Sequence, residues 1–584
     1  MPAVTQLSSD ETTLLRIIAQ DPTVKVGRKI LTALVPVPAE ILQKGPWGHR
    51  VHVVDYDASR RLLYTPIDIS RDKRGRVKDR FAKVADRVLL ADPGFHQQNA
   101  YAIVMRTLAT FERVLGRRLS WGFGAHQLKV VPHAFEDANA FYSEDDYGLY
   151  FGYFSGPQGP VFTCLSHDVV VHETAHALLD GLRQRFTDPS SPDQAAFHEG
   201  FADMVALLSV FQLPEVISEL LSRARQARSK HRISRKVLQD QQFVRNVLFG
   251  LGEQLGSELY KLPGRALRIS YSKRGNPRAY ESLPEFQETY RRGEILVAAM
   301  LHAFVEVWQA RLAPSDPSDQ TPLDRQRVVE EGAAAAEHLL NMAIRGLDYT
   351  PPVHLTFRDY LSAVLTADRE VQPDDSRYQY RQRLRKSFAS WGIAPSSRRP
   401  NSRRGEMAPP EPGAWCAMDS SWFSYSGVHQ DAMRRDPDEM FRFIWQNRYA
   451  LRLHPEAYSR VLSVRPCRRL APDGAPVQET VVEFYQIWEP TQRELRALGL
   501  SDADGTAELL EGIKLYGGGT LIFDDFGRLK YHIHNSVRNI PMQKARLNYL
   551  LSSPLRRVTP VQRFAELHRL RAADPSKLTL ADRW

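Results

Sequence analysis

Apolar positions recur with two different periods along the chain, and the period changes from one region to the next. Helical spacing of apolar residues is found over 99–116, 167–186, 197–212, 235–260, 292–312, 327–346 and 356–369. Runs rich in β-branched and aromatic residues predict strands at Val51–Tyr56, Arg61–Pro66, His126–Val131, Gly148–Phe154, Gln478–Trp488 and Thr520–His534. The pattern predicts an α+β protein with a β-rich start, a helical bulk and an α+β end.

Residues 393–413 show no apolar periodicity and are rich in Pro, Ser, Arg and Gly. Such a composition is typical of an exposed linker. We therefore divide the chain into an N-terminal β-containing segment (1–90), a main domain (91–395), a linker (396–413) and an α+β accessory domain (414–584). We expect the accessory domain to fold separately and to serve in the choice of a substrate or a protein partner.

Composition narrows the class of protein. Hydrophobic residues make up 43% of the 584 positions and charged residues 25%, which is ordinary globular material. Three cysteines without a CxxC pair exclude a disulfide framework and a zinc finger. The first residues lack a signal-peptide pattern, and the longest apolar runs are too short to span a bilayer. We expect a soluble cytoplasmic protein without a membrane partner.

The net charge of +10 arises from 78 basic and 68 acidic residues, a mild excess for this length. A mild excess permits contact with nucleic acid but does not require it. We therefore do not expect nucleic acid as a partner. A protein associated with nucleic acid is nevertheless one of the functional alternatives.

Residues 169–182 (VVVHETAHALLDGL) carry the clearest chemical signal. His172 and His176 are four residues apart in a predicted helix, so both imidazoles lie on one face and can bind one zinc ion. Glu173 follows the first histidine and can act as general base on a zinc-bound water. This HExxH pattern predicts a zinc site.

A second segment, FHEGFAD at 197–203, opens another predicted helix and supplies the remaining donors. Glu199 can complete a site of three protein ligands, which leaves a fourth position open for water. Asp203, one helical turn later, can accept the free ring N–H of a ligand histidine and fix its tautomer. We expect one Zn²⁺ per chain, bound by His172, His176 and Glu199.

The spacing of HExxH followed by ExxxD on a second helix resembles the thermolysin-like (gluzincin) zinc metallopeptidases, as does the stretch Asn139-Ala140-Phe141-Tyr142. The resemblance covers roughly residues 90–395. It implies a β-rich N-terminal lobe, a helical C-terminal lobe and hydrolysis of peptide bonds in a protein or peptide substrate. It also implies that Asn139 and Ala140 bind the substrate on an edge strand, and that Asp180 supports the site together with Asp203.

The chain departs from this family in the residues that stabilise the oxyanion. The expected tyrosine and histidine are missing, and Tyr290 is the candidate replacement donor. The leading hypothesis is an intracellular zinc endopeptidase with Glu173 as general base. The alternative is a catalytically weak or inactive protein that keeps the metallopeptidase fold as a binding scaffold.

Overall fold

The computed structural model of the protein describes residues 12–22, 25–26, 29–69, 79–156, 159–187, 190–223, 231–235, 279–282, 286, 289–314, 316, 321–396, 405–500 and 513–552. Within these ranges the protein is mixed α+β with several sheets. The predicted α+β class is confirmed at this level.

The described α-helices are α1 Asp86–Leu89, α2 Pro93–Leu115, α3 His167–Leu182, α4 Pro192–Phe211, α5 Pro214–Arg223, α6 Ala279–Ser282, α7 Thr289–Arg311, α8 Arg325–Gly346, α9 Phe357–Val371, α10 Tyr380–Ser390, α11 Gln430–Met433, α12 Pro437–Gln446, α13 Gln492–Ala497 and α14 Ile540–Ser552. The predicted helix at 235–260 lies almost wholly outside the described residues.

The described strands are β1 Thr12–Ile18, β2 Lys25–Val26, β3 Lys29–Ile30, β4 Thr32–Pro38, β5 Val51–Val53, β6 Tyr56–Asp57, β7 Leu62–Leu63, β8 Leu128–Glu136, β9 Ala140–Ser143, β10 Gly148–Gly156, β11 Gly159–Phe162, β12 Arg232–Ile233, β13 Leu323–Asp324, β14 Tyr458–Leu470, β15 Pro476–Trp488, β16 Leu515–Phe523 and β17 Leu529–Asn535.

A five-stranded sheet lies beside the HExxH helix. Its order is β11-β10-β8-β5, with β8 parallel to both β5 and β10, and β9 pairs antiparallel with the first half of β10. Within the described residues β9 has no second strand partner. The sheet therefore ends, next to helix α3, in a short edge strand.

The helical part packs α4 between α3 and α7. Helices α4 and α7 meet at two glycines: a Cβ atom on Gly200 would lie 2.8 Å from the carbonyl oxygen of Gly293. Helix α7 alone among the described helices combines the length and hydropathy needed to cross a membrane, but 78% of its apolar window is buried inside the protein. A helix with such surroundings belongs to the core.

The C-terminal part is built on an antiparallel sheet of order β14-β15-β16-β17. One apolar cluster lies between this sheet and the main domain, where Tyr349 and Ala363 pack with Trp415, Ile522 and Ile533. The sequence predicted a separate accessory domain, and that division stays a prediction. The described contacts, however, join the two parts through buried side chains.

Buried ion pairs accompany the apolar contacts between the two parts. The Arg117 guanidinium donates to both carboxylate oxygens of Asp348 at 2.6 and 2.7 Å, and Arg469 of β14 pairs with both Asp348 and Glu479. Burial raises the pKa of Asp348, but the charges of Arg117 and Arg469 hold it well below its usual range. The carboxylate is therefore charged and paired across the contact.

The same sheet holds the C-terminal end of α3. Arg183, which follows the helix, pairs with Glu483 of β15 at 2.9 Å, and Arg465 of β14 donates to the carbonyl oxygen of Leu182 at 2.8 Å. The last carbonyl groups of a helix carry negative partial charge, so cations there are stabilising. The C-terminal sheet thus fixes one end of the helix that carries the HExxH motif.

Candidate metal centre

Helices α3 and α4 position the two predicted ligand segments. All but one of the residues of α3 are buried, so the helix is fixed on all sides. Ser191 caps the N-terminus of helix α4: its side chain accepts a hydrogen bond from the backbone N–H of Gln194. Pro192 is the first residue of the helix. The result is a pair of rigid, packed helices with His172, His176 and Glu199 between them.

The three predicted ligands converge. The Nε2 atoms of His172 and His176 are 2.9 Å apart, and the carboxylate oxygens of Glu199 lie 3.5 Å from Nε2 of His172 and 3.6 Å from Nε2 of His176. All three residues are buried, and one donor atom from each lies within 4.8 Å of the others. This donor set of two imidazole nitrogens and one carboxylate is the one that zinc takes in hydrolytic sites.

The outer nitrogens of both histidines have partners. Nδ1 of His172 lies 2.8 Å from Oδ1 of Asp203, and Nδ1 of His176 lies 2.7 Å from Nδ1 of His198. Since a carboxylate only accepts, His172 carries its proton on Nδ1 and turns an Nε2 lone pair toward the centre. The contact of Asp203 with a candidate ligand histidine was predicted from the sequence, and the contact of His198 was not.

Charge at the centre favours a cation. Burial lowers the pKa of His172, but the charge and hydrogen bond of Asp203, together with Glu199 and Glu173, outweigh burial and raise it to about 10. The carboxylates around His172 therefore favour a positive charge at the centre.

Glu173 lies at the junction of α3 and the edge strand. Its Oε2 atom accepts a hydrogen bond of 3.0 Å from the backbone N–H of Tyr142 in β9, and its side chain is buried. This contact places the predicted general base between the candidate ligands and the outer edge of β9.

The two predicted substrate-binding residues lie where the edge strand begins. Asn139 is buried, its side-chain oxygen accepts from the backbone N–H of Ala140 at 2.9 Å, and its carbonyl accepts from Gly152 of β10 at 2.8 Å. Both residues thus lie on the strand that contacts Glu173, with the Asn139 side chain folded along its own backbone.

Asp180 lies beside the edge strand. It accepts a hydrogen bond of 2.8 Å from the Tyr142 hydroxyl and so anchors that strand. Burial, assisted by the charge of Glu144 and opposed by the hydrogen bond from Tyr142, raises the pKa of Asp180 to about 7. Tyr142 is thereby held at two points, and the role of Asp180 in support of the site stays a prediction.

Tyr290 is buried in the first turn of α7. It precedes by three residues Gly293, which contacts Gly200 next to the ligand Glu199. Its role as an oxyanion donor stays a prediction.

A scan against protein-family models finds no match to this chain, and no curated protein matches it in sequence. The site is therefore interpreted from its own geometry.

Proposed function

We propose that the chain is an intracellular zinc-dependent endopeptidase whose residues 91–395 adopt a thermolysin-like fold. The observation that supports this most strongly is the convergence of His172, His176 and Glu199, with Glu173 beside them and Asp203 behind His172. A substrate of this enzyme is a protein or peptide.

The donor set suits zinc. His172 and His176 present ring nitrogens from one helix face, and Glu199 adds a carboxylate from the next helix. When bound there, zinc supplies a Lewis acid that polarises a carbonyl group and lowers the pKa of water. Asp203 and His198 orient the two imidazoles.

Glu173 moves the proton. As a carboxylate it accepts a proton from the attacking water, and as a carboxylic acid it returns that proton to the nitrogen of the leaving amine. Its contact with the N–H of Tyr142 keeps it between the ligands and strand β9. No residue of the chain is consumed by this cycle.

Strand β9 offers a place for the substrate backbone. The N–H of Tyr142 points toward Glu173 and thus away from β10. Because N–H groups alternate in direction along a strand, Ala140 and Tyr142 share this outer edge, where their N–H groups donate to the side chains of Asn139 and Glu173. An extended peptide that pairs with the edge would replace these two bonds and run past Glu173 and the proposed metal ligands.

The test compares three forms of the full chain for zinc content and for cleavage of unfolded casein. We expect wild type to hold about one equivalent of zinc at this site and to cleave. Glu173→Gln should keep that zinc and lose most of the activity, because it removes the base and no ligand. His172→Ala should lose both.

Two results would contradict the proposal. Full zinc in His172→Ala would mean that the ligands are assigned wrongly, and wild-type cleavage by Glu173→Gln would place the base elsewhere. Zinc at this site without cleavage of casein or other peptides by wild type would favour the scaffold alternative, which the missing oxyanion residues already suggest.

A further inference from the structure

A second cluster of metal-binding side chains lies in the N-terminal half. His96 of α2, His133 of β8 and Cys164 of the 3₁₀ helix Thr163–Leu165 each offer one donor atom, and the three atoms lie within 4.8 Å of one another. All three residues are buried, with at most 1% of each exposed. These residues play no part in the proposed hydrolysis.

The partners of the two rings determine where their protons lie. Nδ1 of His133 is 2.8 Å from Oδ1 of Asp55, and Nε2 of His96 is 3.1 Å from the carbonyl oxygen of Leu90. A carboxylate and a carbonyl only accept, so each ring donates its N–H outward. When both rings are neutral, the remaining nitrogens, Nδ1 of His96 and Nε2 of His133, turn lone pairs toward each other across 2.8 Å.

Two lone pairs at this distance repel unless a cation lies between or beside them. A metal ion satisfies both nitrogens at once. The distance between two nitrogens on a tetrahedral zinc ion is about 3.3 Å, so the rings need to separate by only about half an ångström.

Cys164 supplies the third donor, a buried thiol sulfur. A coordinated metal ion deprotonates a thiol outright. Binding of one zinc ion would accordingly release the thiol proton to solvent.

The surroundings match those of a structural site. The Phe162 ring packs against both His96 and His133, with centroids 4.7 and 5.3 Å away. Asp55 also accepts from Gln97 at 2.9 Å, which fixes the carboxylate that orients His133. A carboxylate behind a ligand histidine is the usual arrangement at protein-bound zinc.

We propose that His96, His133 and Cys164 bind a second transition-metal ion of the zinc class, oriented by Asp55 through His133. The three ligands join helix α2, strand β8 and the turn that leads into α3, so the ion connects the sheet to the HExxH helix. The proposal is independent of the proposed peptidase activity, because it uses none of the residues of that site.

The test uses Co²⁺ as the probe, since a thiolate bound to Co²⁺ gives a charge-transfer band in the near ultraviolet and a site of histidine and glutamate does not. The full chain is freed of metal with a chelator and titrated with Co²⁺. We expect two ions per chain and a thiolate band. His172→Ala should keep the band and lose one ion.

Cys164→Ser should abolish the band and lose the other ion. Its matched control is Cys467→Ser, which alters another buried cysteine whose thiol lies 3.3 Å from the carbonyl oxygen of Glu479. That control should keep the band. Circular dichroism reports whether each variant is folded.

Absence of the band in wild type, or its persistence in Cys164→Ser, would overturn the second site. A proton shared between His96 and His133 gives the first of these results. If Cys164→Ser does not fold, X-ray absorption at the zinc edge of the zinc-loaded wild type decides the matter: a sulfur neighbour supports the site, and its absence refutes it. If wild type binds a single Co²⁺ ion and shows the thiolate band, the missing ion is the one expected at His172. That result would count against the peptidase site and support the second site.

Discussion

In the proposed zinc site Asp203 would act on the metal only through His172, so its removal separates orientation from coordination. Asp203→Ala should weaken zinc affinity at the His172 site by roughly 10–100-fold without unfolding the chain, because the imidazole loses the partner that fixes its tautomer. Asp203→Asn keeps an acceptor oxygen, so its zinc affinity should lie between those of wild type and Asp203→Ala. Zinc titration in competition with a chelator measures the effect. An unchanged affinity in Asp203→Ala would show that this carboxylate does not support the zinc site.

Asp180 gives a pH dependence whose sign follows from burial. Its pKa is raised to about 7 in the folded chain, so the folded state holds the proton more tightly than the unfolded state does. Stability is therefore highest below about pH 4 with respect to this group, and it falls as the pH rises toward the folded pKa.

Asp180→Asn removes this titration and keeps an acceptor for the Tyr142 hydroxyl. At about pH 8 the variant should be more stable than wild type by up to about 4 kcal/mol, since one pKa unit corresponds to about 1.4 kcal/mol. At about pH 4 the difference should nearly vanish. Urea unfolding of both proteins at the two pH values measures it, and a difference that does not change with pH would contradict the assignment.

At the scale of elements, the site depends on how closely α4 and α7 approach. In Gly200→Ala the new Cβ atom would meet the carbonyl oxygen of Gly293 at 2.8 Å, so the helices must separate next to Glu199. We expect a loss of about 1–3 kcal/mol in stability and weaker zinc binding.

Gly124→Ala is the control for this substitution, because nothing lies within 4 Å of its added Cβ atom. Thermal unfolding and zinc titration of the two variants should differ clearly. Equal behaviour of Gly200→Ala and Gly124→Ala would mean that the helix contact tolerates the extra atom.

Periodicity predicted most of the described helices of the main domain within a few residues, because their buried faces repeat every three to four positions. Helix α2 begins six residues earlier than predicted, since Asp92 caps it and Pro93 fits its first turn. Helix α10 was not predicted, because arginines and lysine occupy much of Tyr380–Ser390. Strand β14 was missed for a similar reason, as several arginines and Pro466 interrupt its alternation.

The candidate site was easier to predict from the sequence than its surroundings. Ligands at fixed spacing on one helix are a local signal, whereas the bonds of His198 and Tyr142 depend on the packing of distant elements. The cluster around Cys164 is the extreme case. Its histidines lie 68 and 31 residues before the cysteine, so no short motif indicates it.

For the whole molecule, the described contacts change the result expected for a shortened chain. A chain that ends near residue 395 keeps Asp348 and Arg183 but loses Arg469 and Glu483, and it exposes the apolar cluster around Tyr349. Asp348 keeps Arg117, but leaving the buried charge of Arg183 without its carboxylate partner costs several kcal/mol. We now expect this shortened chain to aggregate or to lose zinc, although the sequence alone suggested that it would stay soluble.

Solubility, thermal unfolding and zinc content of the shortened chain decide between the two expectations. A soluble form that keeps its zinc would support the original division into separate domains.

The contacts between the C-terminal end of α3 and the C-terminal sheet also predict how the protein behaves when it is made as two separate polypeptides. The ion pairs, the bond from Arg465 to the Leu182 carbonyl and the apolar cluster do not depend on the peptide bonds between residues 396 and 405, because each contact joins groups that lie outside this stretch. Two polypeptides, 1–396 and 405–584, expressed together should therefore bind each other and elute as one species. The halves of the molecule would then behave as subunits of a heterodimer. Neither subunit alone would contain all the residues that hold the C-terminal end of helix α3.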